Sequence, residues 1–174
     1  MHGIAAEEKL VLAALGGIPM RLPLDAWPAL PGVRWAVPAD WSPSRHDAVA
    51  FESLGLDFAD LLASCDAVIT KPGYGTFAES ACNGLPVLYL ERPRWPETAC
   101  LVEWLREHTN CAEVDRRKLE TGAFADQLLE LLAMPPKARP QPTGAVEAAQ
   151  RIAGMLVAES AADPSSLTPL PGGA

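Results

Sequence analysis

The sequence has no apolar run approaching the roughly 20 residues that cross a bilayer, so a membrane-spanning helix is excluded. Basic charge is scarce: 14 lysines and arginines stand against 22 acidic residues, a net charge of −8. That balance argues against non-specific binding to nucleic acid or to an anionic membrane, while leaving room for one local phosphate site. The opening residues carry Glu7 and Glu8 and lack the basic-then-apolar order of a signal peptide. With four scattered cysteines, this predicts a reducing, cytoplasmic setting. Cys65, Cys82, Cys100 and Cys111 have no metal-ligand spacing, and each lies in or beside an apolar segment. Buried, reduced thiols are expected, with neither a metal nor a cofactor.

Catalytic sets are also missing. His2 is terminal, and His46 and His108 have no sequence neighbours that complete a triad. No paired-carboxylate motif and no internal repeat stands out, so no catalytic residue is nominated. Aromatics are few, and the five tryptophans read mainly as packing residues. Trp95 differs, because its loop follows a strand end near the region discussed below.

What is present is a chain of 174 residues, nearly half of them hydrophobic, enough for one domain with a real core. Residues 9–15 form a continuous apolar run that stops at Gly16-Gly17, as in a strand covered on both faces. Four prolines between residues 18 and 31 forbid a long helix there, leaving one short turn over 24–30. Further strands are predicted over 33–37, 48–51, 67–70, 86–90 and 111–114. Residues 38–46 read as a surface loop. Helices are predicted from Asp57 as N-cap through Cys65, over 76–82 with Asn83-Gly84 as its stop, and, after a loop over 91–96, from Glu97 to about His108. Phe58, Leu61 and Leu62 are expected on the buried side of the first. Two more follow, over 122–134 capped by Thr121 and over 144–158 capped by Thr143, joined by a proline-rich linker. Residues 159–174 are expected to be disordered. The alternation implies an α/β domain with a mostly parallel sheet and helices on both faces. Ligands of such sheets bind outside the carboxyl ends of the strands, where Gly16-Gly17 and residues 71–75 both fall.

The stretch from Ala67 to Ser80 organises the chain: a buried strand, a tight turn, then a helix beginning near Thr76. Gly73 and Gly75 permit positive φ or the close approach of a ligand. The first amides of the helix lack intrahelical acceptors, so the turn is receptive to an anion. Lys71 adds a positive charge and Thr76 a hydroxyl. The spacing is not that of a Walker A loop. A plain architectural turn explains the same residues. Glu79, one helical turn past Thr76, suits two ribose hydroxyls or closes a capping box with Thr76. Glu97 reads either as a ligand contact or as a charge at the positive end of a helix dipole.

The run from Asp60 to Glu79, with Lys71-Pro72-Gly73-Tyr74-Gly75-Thr76 at its centre, resembles the C-terminal, donor-binding domain of GT-B glycosyltransferases. It is similar to the peptidoglycan UDP-N-acetylglucosamine transferase group and, in its Lys-Pro-Gly-Tyr-Gly-Thr form, to the glycosyltransferase-like portion of some arabinose kinases. Gly16-Gly17 is similar to that family's opening glycine loop. The resemblance covers residues 9–158, leaving 1–8 as an extension. It implies a Rossmann-like half-domain in which Gly16, Gly17, Lys71, Gly73, Tyr74, Gly75 and Thr76 surround the diphosphate of a nucleotide sugar such as a UDP-sugar. It further implies that Glu79 meets the ribose and Glu97 the sugar. A complete enzyme of this type has a second, acceptor-binding domain, so the resemblance implies a separate or missing partner half and an isolated chain inactive in transfer. A non-catalytic interaction or regulatory domain is the alternative.

Overall fold

The computed structural model describes residues 5–16, 20–90, 92 and 95–162, the last five as backbone only. Two compact units form, Met1–Pro140 and Gln141–Ala174. The first contains six parallel strands: β1 (Lys9–Ala14), β2 (Val33–Val37), β3 (Ala48–Ala50), β4 (Ala67–Thr70), β5 (Val87–Leu90) and β6 (Cys111–Val114). Their spatial order is β3-β2-β1-β4-β5-β6, an open α/β sheet whose order reverses between β1 and β4. Helices α1 (Phe58–Ala63), α2 (Tyr74–Asn83), α3 (Thr98–His108), α4 (Arg116–Thr121) and α5 (Ala125–Ala133) belong to this unit, and α6 (Gly144–Ala162) to the second.

Side chains alternate across the pleat, so each strand feeds two cores. Val11, Trp35, Ile69 and Leu88 join Leu119, Phe124 and Leu128 on one face. Leu12, Ala36, Val68 and Val87 join Leu62, Phe77 and Leu105 on the other. Both faces being covered explains why the central strands read as unbroken apolar runs.

Several local expectations change. The 38–46 loop holds a 3-10 turn, Ala39–Trp41, and Trp41 is buried in the core rather than on the surface. Phe58 is 41% exposed, not inward, and Asp57 makes no side-chain cap at α1. Thr121 does not start a helix. It ends α4, whose N-cap Asp115 accepts the Lys118 amide at 2.8 Å, and Gly122 closes that helix in the left-handed region at φ +77°. Phe124 then precedes a separate α5. Helix α6 continues to Ala162, four residues beyond the predicted end. The expected disorder of the last residues falls outside the described residues from 163 onward. Among the cysteines none is disulfide-bonded, and none is buried as expected: Cys65, Cys82 and Cys111 are half-buried and Cys100 is exposed. Burial, reinforced by the charge of Asp66, pushes the Cys65 thiol up to about 12, which keeps it protonated.

One ion pair fastens the loop before β2. Arg45 donates to Asp47 through Nε at 2.8 Å and Nη2 at 2.5 Å, and its Nη1 donates to the Leu24 and Trp27 carbonyls at 2.8 and 2.5 Å. Burial pushes the Asp47 carboxyl up, but the Arg45 hydrogen bonds and charge outweigh it and hold the carboxyl below its ordinary range. A depressed carboxyl contributes stability above its unfolded value and loses it as pH falls through the folded one. Asp47→Asn is therefore expected to cost roughly 1.5–3 kcal/mol at neutral pH. It is also expected to flatten the loss of stability of the wild type below pH 3.8. Urea denaturation at pH 7 and pH 3 measures both.

Candidate functional site

Parallel register brings the two glycine turns together. Ala14 of β1 pairs with Thr70 of β4, and the Thr70 hydroxyl donates to the Ala14 carbonyl at 2.7 Å. Beyond these strand ends, Gly16 turns at φ +61°, and a Cβ added there would lie 3.2 Å from Cε of Lys71. The left-handed backbone therefore favours glycine at Gly16, and the flexible end of Lys71 lies against it. Gly17 lies outside the described residues.

Helix α2 begins two residues earlier than its sequence suggested. Gly73, extended at φ −170°, is the N-cap, and no side chain caps the helix. The first helical hydrogen bond runs from the Phe77 amide to the Gly73 carbonyl at 3.1 Å. The amides of Tyr74, Gly75 and Thr76 are consequently the orphan donors of the first turn. Thr76 is the third helical residue, which rules out its capping box with Glu79. Neither Gly73 nor Gly75 has positive φ. A Cβ on Gly75 would meet nothing within 4 Å. Glycine there leaves the amides open without satisfying any strain.

Lys71 flanks this turn and is partly buried. Thr70 pairs with Tyr89, so Lys71 and Arg92 leave neighbouring strand ends. Burial first, and then the charge of Arg92, push the Lys71 ammonium below its ordinary value. Arg92 in turn lies 3.8 Å over the ring of Trp95, whose indole N–H donates to Glu97 at 3.1 Å. Glu97 occupies the N-cap position of α3 without capping it. Tyr74 is 61% exposed. Desolvation first, and then the charge of Glu97, push its hydroxyl above the ordinary value. Glu79 is exposed on α2.

A cavity of about 430 Å³ opens at the carboxyl ends of β1, β2 and β3. Its lining includes Gly16, Trp41, Phe51, Phe58, Asp40 and Thr76, the last shared with the α2 turn. Two charged participants escaped sequence reasoning. Arg92 becomes visible only when β5 is known to neighbour β4, and Asp40 only when its loop is known to fold as a turn beside β1. Among the described residues, no group of His, Cys, Asp and Glu could hold a metal ion, and no helix is long and apolar enough to span a membrane.

The fold and the site define a doubly wound α/β protein whose switch point carries a helix start with no side-chain cap. No protein-family model matches the chain, and no curated protein matches it. Among solved structures the chain is similar to the glycosyltransferase SnogD from Streptomyces nogalater, at 17% identity and a TM-score of 0.45. The match covers 87% of this chain and 44% of that one, so the chain spans less than half the length of that structure.

Proposed function

We propose that this chain is the donor-binding half of a GT-B-type glycosyltransferase, holding the diphosphate of a nucleotide sugar over residues 71–76. The observation that carries the reading is the uncapped start of α2 after Lys71, at the point where strand order reverses, with Arg92 leaving the end of the adjacent strand β5. An anion there gains from three amides, from a helix dipole worth about 0.3–1 kcal/mol, and from two cations. In this role Gly16 and Gly17 flank the diphosphate, Gly73, Gly75 and Thr76 meet it, and Tyr74 borders it. Glu79 contacts the ribose and Glu97 the sugar.

The reaction would be displacement at the anomeric carbon. The acceptor oxygen forms a bond to that carbon while the bond to the diphosphate breaks, and the bonding pair leaves with the diphosphate. Orphan amides, Lys71 and Arg92 stabilise the charge that develops. The acceptor and its base would come from a second domain.

Calorimetric titration with pyrophosphate, UDP, GDP and their sugar conjugates tests the reading; a folded sample that binds none of them sinks it. Arg92→Ala is expected to weaken pyrophosphate binding severalfold, with the larger loss at low salt because the interaction is partly screened. The same titrations at two salt concentrations check this.

A second reading, a non-catalytic interaction domain, is favoured by one observation. Val146, Ile152, Met155 and Leu156 of α6 are each more than half exposed. A monomer that binds a nucleotide sugar tightly counts against it.

A further inference from the structure

We propose that Asp40 makes this site select guanine as its nucleobase, an inference that rests on the diphosphate reading above. The cavity beside Gly16 is walled largely by apolar groups, among them Met20, Trp41, Phe51 and Phe58. Among the described residues that line it, Asp40 and Thr76 carry its polar side-chain oxygens. Aromatic and aliphatic walls with few polar groups suit a flat heterocycle, and those few groups set its identity. Thr76 belongs both to this cavity and to the first turn of α2. A nucleotide whose diphosphate rests on that turn therefore has the cavity next to it.

Asp40 is held ready for such a ligand. Its turn, Ala39–Trp41, is pinned on three sides. Glu52 accepts the Ala39 amide at 2.9 Å, the Trp41 indole N–H donates to the Met20 carbonyl at 3.1 Å, and Arg21 donates to the Trp41 carbonyl at 3.1 Å. The turn closes on Ser42 at φ +52°, the one non-glycine residue with positive φ among the described residues. Backbone held in that region persists only where its surroundings over-determine it. Asp40 itself is exposed and takes part in none of the ion pairs formed among the described residues. A carboxylate fixed on this turn at the rim of an apolar cavity, with no ion-pair partner among the described residues, can accept two N–H donors from a ligand.

Only one common base meets that demand on a single edge. Guanine presents N1–H and an N2 amino hydrogen side by side, matching the two oxygens of a carboxylate. Uracil sets its one N–H between two carbonyls that a carboxylate repels. Adenine and cytosine each offer an amino hydrogen beside an acceptor nitrogen. Hypoxanthine keeps N1–H and lacks the amino group.

The test is calorimetric titration of the full chain and of Asp40→Asn with GDP, IDP, UDP and pyrophosphate, with circular dichroism to show that both are folded. A bidentate contact of this kind discriminates by about tenfold or more. GDP is expected to bind at least about tenfold tighter than UDP by that measure, with IDP between them. Asp40→Asn is expected to bring GDP down to the UDP level while leaving UDP and pyrophosphate unchanged. UDP binding as tightly as GDP overturns the proposal and leaves the diphosphate reading standing. Equal weakening of GDP and UDP by Asp40→Asn also overturns it, because it marks a ribose contact. A folded wild type that binds neither pyrophosphate nor any nucleotide removes the diphosphate reading, and the guanine proposal with it.

Discussion

Gly75→Val is expected to abolish binding of pyrophosphate and nucleotide diphosphates, a loss of more than about hundredfold, while leaving the melting temperature within about 4 °C of wild type. The two halves of that result have separate causes. Gly75 is the second residue of α2 and has no positive φ, and an added Cβ meets no atom within 4 Å. Nothing in the fold asks for glycine, which costs a helix about 0.5–1 kcal/mol relative to alanine. Side chains on a helix lean toward its N-terminus. The methyl groups of valine would therefore stand where an anion must sit to reach the Tyr74, Gly75 and Thr76 amides. Gly75→Ala should give a smaller loss in the same direction. Thermal melts paired with titration calorimetry decide the matter: a valine variant that binds like wild type would make this turn architecture only.

Trp27→Ala is expected to cost about 3–5 kcal/mol, a large share of the 5–15 kcal/mol that typically separates a folded domain from its unfolded state. Trp27 is 3% exposed and meets Trp35, Phe124 and Trp41 edge-on, at centroid distances of 5.0, 5.0 and 5.8 Å. Its indole N–H donates to the Leu119 carbonyl at 2.8 Å, tying the loop before β2 to α4 across 92 residues of sequence. Truncation removes the ring contacts, opens a cavity and leaves a buried carbonyl without its donor. Trp27→Phe retains much of the ring packing and loses the hydrogen bond, so a smaller cost of about 1–3 kcal/mol is expected. Urea unfolding measures both, and a cost below about 1 kcal/mol for Trp27→Ala would show that this aromatic cluster is not the centre of its core.

The strands were legible because buried parallel strands leave a plain signal. Residues 33–37, 67–70 and 111–114 match β2, β4 and β6 to the residue. Helix ends were harder, because the same residues start and stop helices. Thr121-Gly122 read as a beginning, yet the left-handed Gly122 makes it an end, and Asp115 supplies the cap that the sequence reading passed over. Thr76 read as the N-cap of α2, whereas Gly73, three residues earlier, takes that position. Trp41 and Phe58 exchanged places relative to their local context, the first drawn into the core by the Trp27 cluster and the second left at the cavity rim.

By itself the sequence determines the alternation of strands and helices, the covering of both sheet faces, and a glycine-bearing turn over Lys71 to Thr76. Those follow from local chemistry: apolar periodicity and chain-stop residues. Only the tertiary structure decided that Gly16 packs against Lys71, that Arg92 stands beside Lys71, and that Asp40 rims an apolar cavity shared with Thr76. Each of these joins residues from separate strand ends, and their proximity is set by strand order, which local sequence patterns do not encode.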